Sequence, residues 1–270
     1  MPFALLLLIS FTAGSLTVLG AGRMMHRPRS STWLAAMVGD PLVSRDKWGR
    51  WFRARFDPAL ATGLGLTAAV VLSVMVGFVV ALVAHVTRAG GRYASIDSGT
   101  ASWAHDHATR FSTRLLWLTT HLGDWRTIPL FGLVLIVSTL RSRPNWHLIA
   151  FLIVVTLGDQ IVTTTIKFGV DRARPTFTGV AATLGPSFPS GHSATAASFY
   201  AAVALILASG HGSRARSLLA GGAVTIAVAV ATSRVLLNLH WLSDVIAGLL
   251  VGWTWFALCA LAFGFSRLRQ

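Results

Sequence analysis

The chain has 270 residues, of which 54% are hydrophobic and 12% charged, and its mean hydropathy is +0.65. This composition, with its single cysteine, excludes a disordered chain, a coiled coil and an intrachain disulfide, and it disfavours a water-soluble enzyme because one soluble core cannot bury so much apolar side chain. The net charge is +14, but the cations lie in short clusters between apolar runs, which is typical of membrane topology and argues against nucleic-acid binding.

Seven apolar stretches, some of them short, predict membrane spans, which need about 20 apolar residues. In chain order they cover residues 3–22, 59–84, 128–140, 147–166, 193–209, 218–232 and 245–265. No basic residue precedes the first stretch, so it lacks the charged start of a secretory signal peptide. We interpret it as a membrane anchor, with a cleaved or mis-started segment as the alternative. The pattern predicts an all-α, polytopic transmembrane helix bundle.

Basic residues in the loops predict how the spans are oriented, because Lys and Arg accumulate on the cytoplasmic side of a membrane. The segment 23–57 is strongly basic, and three later loops each carry a pair of arginines. With all of these in the cytoplasm, residues 85–126, 167–192 and 233–244 lie on the outer side. The pairs are Arg141 with Arg143, Arg214 with Arg216, and Arg267 with Arg269.

The outer segment 85–126 is too polar for a further span. Residues 102–122 mix apolar and charged positions at helical spacing and include Trp103 and Trp117. This pattern predicts one interfacial helix lying along the outer surface. The ten tryptophans fall largely near span ends, as in an aromatic belt.

Three clusters of polar residues lie at the outer ends of the last four predicted spans. Ionisable groups next to a membrane are energetically costly, so their presence there indicates a function. The last of them runs from Ser233 and Arg234 to His240 and Asp244. Because His240 and Asp244 are four residues apart, they can touch on one helical face, which would leave one imidazole nitrogen free to attack. A capping acid beside an interface histidine is the alternative.

The middle cluster is Pro189-Ser190-Gly191-His192, which opens the apolar run 194–207. Ser190 is a candidate N-cap, and the free N–H groups that follow form an anion site. His192 would lie in the first turn and face the anion. A capped helix without a ligand is the alternative.

The first cluster holds Lys167, Arg174 and Pro175. Pro175 predicts that the helix ends by Arg174, so both cations can turn toward a site; the alternative is that they snorkel or meet lipid phosphate. We interpret Asp171 and Arg172 between them as a structural ion pair. Together the clusters supply three cations, two imidazoles and one carboxylate, which suits a tetrahedral oxyanion.

In their order and spacing the clusters resemble the signatures of the type 2 phosphatidic acid phosphatase superfamily: K-x6-R-P, P-S-G-H and S-R-x5-H-x3-D. The similarity covers about residues 59–265. Gly123-Asp124 also resembles a loop that precedes the family's core helices, and Asn238 stands where many members have glycine. Every signature position is matched: Lys167, Arg174, Pro175, Pro189, Ser190, Gly191, His192, Ser233, Arg234, His240 and Asp244.

The resemblance implies a six-helix phosphatase core, here with an extra N-terminal anchor, and a covalent phosphohistidine mechanism without a metal or other cofactor. It makes His240 the nucleophile, Asp244 the residue that orients it, and His192 the general acid and base. We divide the chain into an anchor with a basic cytoplasmic segment, residues 1–57, and a phosphatase domain, residues 58–270. The phosphate-binding residues it implies are Lys167, Arg174, Ser190, Gly191 and Arg234.

A site at the membrane boundary favours an amphiphilic lipid phosphate as substrate, and an outer-facing one fits a polyprenyl diphosphate. Phosphatidic acid, phosphatidylglycerol phosphate and diacylglycerol diphosphate are alternatives. The uncharged linker 176–189 is a candidate border for the entry of a lipid tail. Arginine in preference to lysine and abundant alanine favour a bacterial source. Rival classes are a vanadium haloperoxidase, a non-catalytic lipid-phosphate carrier and a structural membrane protein.

Overall fold

The computed structural model describes residues 61–88, 92–142, 146–209 and 211–263. Within these ranges the chain forms nine helices and no strand, which confirms the predicted all-α class. The predicted anchor at 3–22, the basic segment 23–57 and the last two residues of the span 245–265 lie outside the described residues. The helices are α1 (Ala61–Arg88), α2 (Arg92–Asp106), α3 (Arg110–His121), α4 (Thr127–Ser142), α5 (Trp146–Val170), α6 (Gly179–Ala182), α7 (Gly191–Leu207), α8 (Ser213–Leu236) and α9 (Leu242–Phe263).

Three helices, α5, α8 and α9, are long and apolar enough to cross a membrane. At a rise of about 1.5 Å per residue they are roughly 33–37 Å long, which exceeds the thickness of a bilayer's hydrocarbon core. They correspond to the predicted spans 147–166, 218–232 and 245–265. Helices α4 and α7 are apolar but shorter. The protein is therefore a multi-pass membrane protein, as predicted.

Helix α7 is the centre of the described bundle and packs against α5, α8 and α9. Every residue from 193 to 200 is buried, as expected of a helix that is apolar or small on all its faces. Thr195 of α7 donates a 2.9 Å hydrogen bond to Asp159, which lies fully buried in α5. Because α7 begins at the Ser190–His192 cluster, this packing fixes the height and direction of that cluster.

Two glycines allow α9 to approach the start of α7 very closely. A Cβ at Gly248 would lie 2.5 Å from the carbonyl oxygen of Ser190, and one at Gly252 would overlap the carbonyl oxygen of Ala194. Glycines four residues apart on one face are a common means of close helix contact in membranes. Here they bring the first turn of α9, which carries Asp244, next to the first turn of α7.

We expect Gly252→Ala to lower the melting temperature of the detergent-solubilised protein, because the new methyl group must push α7 away from α9. Overpacking of this kind costs about 1–3 kcal/mol. Gly221→Ala in α8 is the matched control, since a Cβ at that position meets nothing within 4 Å. Replacing glycine by alanine inside a helix is otherwise neutral or favourable, so equal melting temperatures for the two variants would contradict the close contact.

The single interfacial helix predicted for residues 102–122 is wrong, because the structure has two helices there. Helix α2 ends at Asp106 and α3 begins at Arg110. Thr109 is the N-cap of α3, and it forms a reciprocal capping box with Ser112. An extended residue whose side chain satisfies free N–H groups starts a new helix rather than continuing the old one.

Candidate active site

The structure brings the three polar clusters together at one end of the bundle. Lys167 lies in the last turn of α5, and Arg174 lies on the chain that follows it. His192 is in the first turn of α7, Arg234 is in the last turn of α8, and His240 is in the turn between α8 and α9. The sequence separates these residues by up to 73 positions, and helix packing places them around one point.

His240 is buried, and its two ring nitrogens face different groups. Nε2 lies 3.0 Å from Nη1 of Arg174, and Nδ1 lies 3.6 Å from Oδ2 of Asp244. Because a guanidinium can only donate, Nε2 must carry a lone pair, which leaves the proton on Nδ1 facing the carboxylate. Burial lowers the pKa of His240 well below its usual value, and the neighbouring cations, Arg174 first, lower it further. His240 is therefore a neutral imidazole with a lone pair among cations.

A tight turn, rather than a helix, holds His240 in place. The backbone N–H groups of Leu239 and His240 both donate to the carbonyl oxygen of Arg234, at 3.0 and 3.2 Å. Asn238 has φ of 54°, a left-handed conformation that glycine adopts freely and asparagine tolerates. Asparagine therefore meets the backbone requirement of this turn.

Asp244 has both of the roles that its position suggested. It lies in the first turn of α9, where Oδ2 accepts a 3.0 Å hydrogen bond from the backbone N–H of Trp241, so it is a capping acid. The same oxygen is the one nearest His240. The expectation that both residues share a helical face is wrong, since His240 precedes α9; the pair meets because the turn folds back onto the helix start.

Of the three predicted phosphate-binding cations, Arg234 is buried and Lys167 and Arg174 are half-buried. Among the described residues, none of them forms an ion pair with a carboxylate. Lys167 Nζ donates to the carbonyl of Pro186 at 2.9 Å, and Arg174 donates to the carbonyls of Gly185 and Leu239 at 2.7 and 2.6 Å. Burial lowers the pKa of Arg174, and Asp244 raises it. Such a concentration of positive charge, bound to carbonyl oxygens and not paired with a carboxylate among the described residues, is suited to an anionic ligand.

Arg234 gives a more specific indication of an anion. Its Nη1 donates to the hydroxyl of Thr120 at 3.0 Å, while its buried Nε has no hydrogen-bond partner. Buried donors in native proteins are nearly always satisfied. A phosphate oxygen within reach of Nε would supply the missing acceptor.

The Ser190–His192 turn is partly as predicted. Ser190 is the N-cap of α7, but its side chain makes no capping hydrogen bond; it accepts a 2.9 Å bond from the hydroxyl of Ser193 and is fully buried. The N–H groups of the first turn of α7 are thus not capped by Ser190. A Cβ at Gly191 would lie 3.9 Å from Cε of Lys167, so this backbone borders the cations.

Gly123 supports the same turn from the other side. A Cβ at this position would lie 3.0 Å from the carbonyl oxygen of His192 and 2.7 Å from Cγ1 of Val230. Only glycine therefore lets the loop between α3 and α4 approach the start of α7 this closely. This contact gives a physical reason for the Gly123-Asp124 resemblance noted in the sequence.

The interpretation of Asp171 and Arg172 as an ion pair with each other is wrong. Asp171 has φ of 45° at the end of α5, and Arg172 instead pairs with Asp97 of α2 at 2.8 Å and with Asp244 at 2.7 Å. Asp97 was not among the predicted site residues. An acidic residue in a polar segment is ordinary, and no local pattern linked it to a residue 75 positions away.

The chemistry of the donor set is that of an anion site rather than a metal centre. Within the part of the chain that the structure describes, no three His, Cys, Asp or Glu side chains converge as metal ligands would. The converging groups are a neutral imidazole, a second histidine, three cations and one carboxylate. Such groups can attack, protonate and bind a phosphoryl group.

Comparison with known proteins agrees with the geometry. Residues 148–267, which contain all three clusters, match the PAP2 superfamily. Phosphatidylglycerophosphatase B of Bacillus subtilis (strain 168) is 32% identical over 135 residues, an alignment that spans 49% of this chain and 66% of that protein, just under two thirds of its length.

A solved structure resembles the fold as well. The crystal structure of a transmembrane PAP2-type phosphatidylglycerolphosphate phosphatase from Bacillus subtilis matches with a TM-score of 0.64 at 25% identity, over 69% of this chain and 92% of the other. Both the transmembrane bundle and the resemblance inferred from the three motifs are confirmed. Residues 148–267 of the chain therefore form a PAP2 superfamily domain.

Proposed function

We propose that the protein is a membrane lipid phosphatase that transfers phosphate to His240 and then to water. The observation that carries this proposal is the Nε2 lone pair of a buried, neutral His240, 3.0 Å from Arg174 and surrounded by cations without a carboxylate partner among the described residues. The named activities of the matched Bacillus subtilis proteins support a phosphatase.

In the first step, Nε2 of His240 attacks phosphorus, and the bond from phosphorus to the lipid oxygen breaks. The negative charge of the bound phosphate offsets the burial and the cations that lower the pKa of His192 to about 2. The protonated His192 ring then gives its proton to the leaving oxygen, while Asp244 stabilises the positive charge that develops on the His240 ring. In the second step His192 takes a proton from water, the water oxygen attacks phosphorus, and the N–P bond breaks. Inorganic phosphate leaves, and His240 recovers its lone pair.

The phosphate oxygens are bound by Lys167, Arg174 and Arg234, together with the N–H of Gly191. Ser190 contributes as well, because a hydroxyl that accepts one hydrogen bond still has its own proton to donate. Charge spread over the equatorial oxygens of the transition state is stabilised by such preorganised donors. This mechanism needs no metal ion, and we propose that the reaction is metal-independent.

Apolar side chains flank the site and suit a lipid substrate. Phe168, directly after Lys167, is 78% exposed, and three residues of the linker 176–189 are also exposed. Exposed aromatic and aliphatic groups next to buried cations fit an amphiphile, with its phosphate among the cations and its tail in the bilayer. The three are Phe177, Val180 and Leu184.

Two substrates are candidates within this class. Polyprenyl diphosphate follows from a site on the outer face, which the arginine pairs of the opposite loops support. Phosphatidylglycerol phosphate is favoured by the names of the two Bacillus subtilis proteins. We further propose that residues 58–270 form the phosphatase domain and that residues 1–57 anchor it and face the cytoplasm.

A lipid panel tests the function and separates the two substrates. Purified protein in detergent is given polyprenyl diphosphate, phosphatidylglycerol phosphate or phosphatidic acid, each with and without a chelator, and phosphate release is measured. We expect release that resists the chelator, and the fastest lipid identifies the substrate class. Release that the chelator abolishes would contradict the metal-free mechanism, and no release from any lipid would favour a carrier.

A further inference from the structure

Behind the His240–Asp244 pair lies a second, buried charge network. Arg172 donates from Nη1 to Oδ1 of Asp244 and to the hydroxyl of Ser243, both at 2.7 Å, and from Nη2 to Oδ2 of Asp97 at 2.8 Å. Its side chain is 11% exposed, those of Asp97 and Asp244 are 4% and 0% exposed, and its guanidinium lies over the ring of Trp241. One planar fork therefore joins two buried carboxylates.

Asp97 closes this network from a distant part of the chain. Its Oδ1 accepts a 3.0 Å hydrogen bond from the backbone N–H of Ser243, 146 residues away, and its Oδ2 accepts from the hydroxyl of the same serine. Asp97 thus holds Arg172 and the start of α9 at once. Helix α2 is thereby held against the start of α9, next to the turn that carries the proposed nucleophile.

The network fixes the orientation of the Asp244 carboxylate. Arg172 holds Oδ1, and the backbone N–H of Trp241 holds Oδ2, so the carboxylate cannot rotate away from Nδ1 of His240. Without Arg172 the carboxylate would lose its charged partner and could turn about its last bond, and the His240 ring would lose its fixed partner. Small misplacements of a reacting group are costly in rate.

We propose that Asp97 and Arg172 are positioning residues that act through Asp244 on His240. This inference rests on the proposed phosphatase function. A cavity of about 450 Å³ lined by Ala94, Ser95, Asp97 and Arg172, among others, borders the network. Substituted side chains have room there, so loss of activity need not come from a steric clash.

The test uses the purified full chain and the best lipid of the panel. We expect Asp97→Asn to lower kcat by about 10- to 100-fold, as outer partners of active-site groups often do, with KM within about twofold of wild type. Arg172→Gln should lower kcat at least as much. Arg172→Lys should lower kcat by a smaller factor, because lysine keeps the positive charge. Some loss is still expected, since lysine cannot bridge both carboxylates. Asp106→Asn, an exposed acid on the same helix, should behave as wild type.

A double variant separates positioning from a merely structural role. If Asp97 acts through Arg172, adding Asp97→Asn to Arg172→Gln should cost no further kcat, since members of one network are not additive. The positioning role is overturned if Asp97→Asn and Arg172→Lys both keep the wild-type kcat, if the two losses multiply, or if KM rises while kcat holds. His240→Ala decides the phosphatase proposal separately, because it removes the proposed nucleophile and leaves this network in place.

Discussion

His240→Ala is expected to reduce phosphate release by at least about 10³-fold, because loss of a nucleophile removes the covalent route altogether. KM or lipid binding should change little, since three cations remain to bind the phosphate. His85→Ala is the matched control, because this histidine is exposed in α1 and belongs to none of the three clusters. Phosphate release in detergent, normalised to folded protein, is the measurement.

A trapping experiment makes the same prediction more specific. With a lipid radiolabelled in its phosphate, rapid quenching in alkali should leave label on the wild-type protein, because the N–P bond of phosphohistidine survives alkali and is cleaved in acid. The His240→Ala protein should carry none. Undiminished release by that variant would overturn the phosphohistidine mechanism, and lipid movement without release would favour the carrier hypothesis.

His192→Ala is expected to give a defect that depends on the leaving group. General acid–base catalysis is worth about 10²- to 10⁴-fold, so turnover of a lipid monophosphate such as phosphatidic acid, whose alkoxide is a poor leaving group, should fall by that amount. With p-nitrophenyl phosphate the first step needs no acid. The second step still needs a base, so we expect one rapid equivalent of p-nitrophenol per protein, followed by slow turnover.

The burst distinguishes proton transfer from a structural role for His192. This residue is only partly buried at the start of α7, and Gly123 packs against its carbonyl oxygen, so a substitution there could also disturb the turn. A disturbed turn would slow both substrates in both steps, and no burst would appear. The absence of a p-nitrophenol burst would therefore contradict the role of acid and base.

The sequence alone determined the class of the protein and the residues of its candidate site. Membrane spans can be predicted from the sequence because a helix that crosses a bilayer needs a run of apolar side chains, whichever groups those side chains contact in the folded protein. The three clusters can be recognised because each lies within one short segment of the chain, as in Pro189-Ser190-Gly191-His192. Their resemblance to the signatures of one family then predicted that they form a single site, and the match over residues 148–267 agrees with that resemblance.

Local structure that depends on one side chain was harder to predict. The break between α2 and α3 depends on the capping box that Thr109 forms with Ser112, within a segment whose apolar spacing continues across it. The turn at Asn238 is similar, because its positive φ is a property of the folded backbone. In both places one residue changes the direction of the backbone, and the apolar spacing of the whole segment does not indicate that change.

Only the tertiary structure decided which partner each charged group takes. Sequence proximity suggested that Arg172 pairs with Asp171. In the structure the backbone at Asp171 is left-handed, and Arg172 pairs with Asp97 and Asp244 instead. Asp97 had no local signal, since its partner Ser243 lies 146 residues away. Ion pairs form between groups that packing leaves buried side by side, and that depends on how α2, α5 and α9 meet at one end of the bundle.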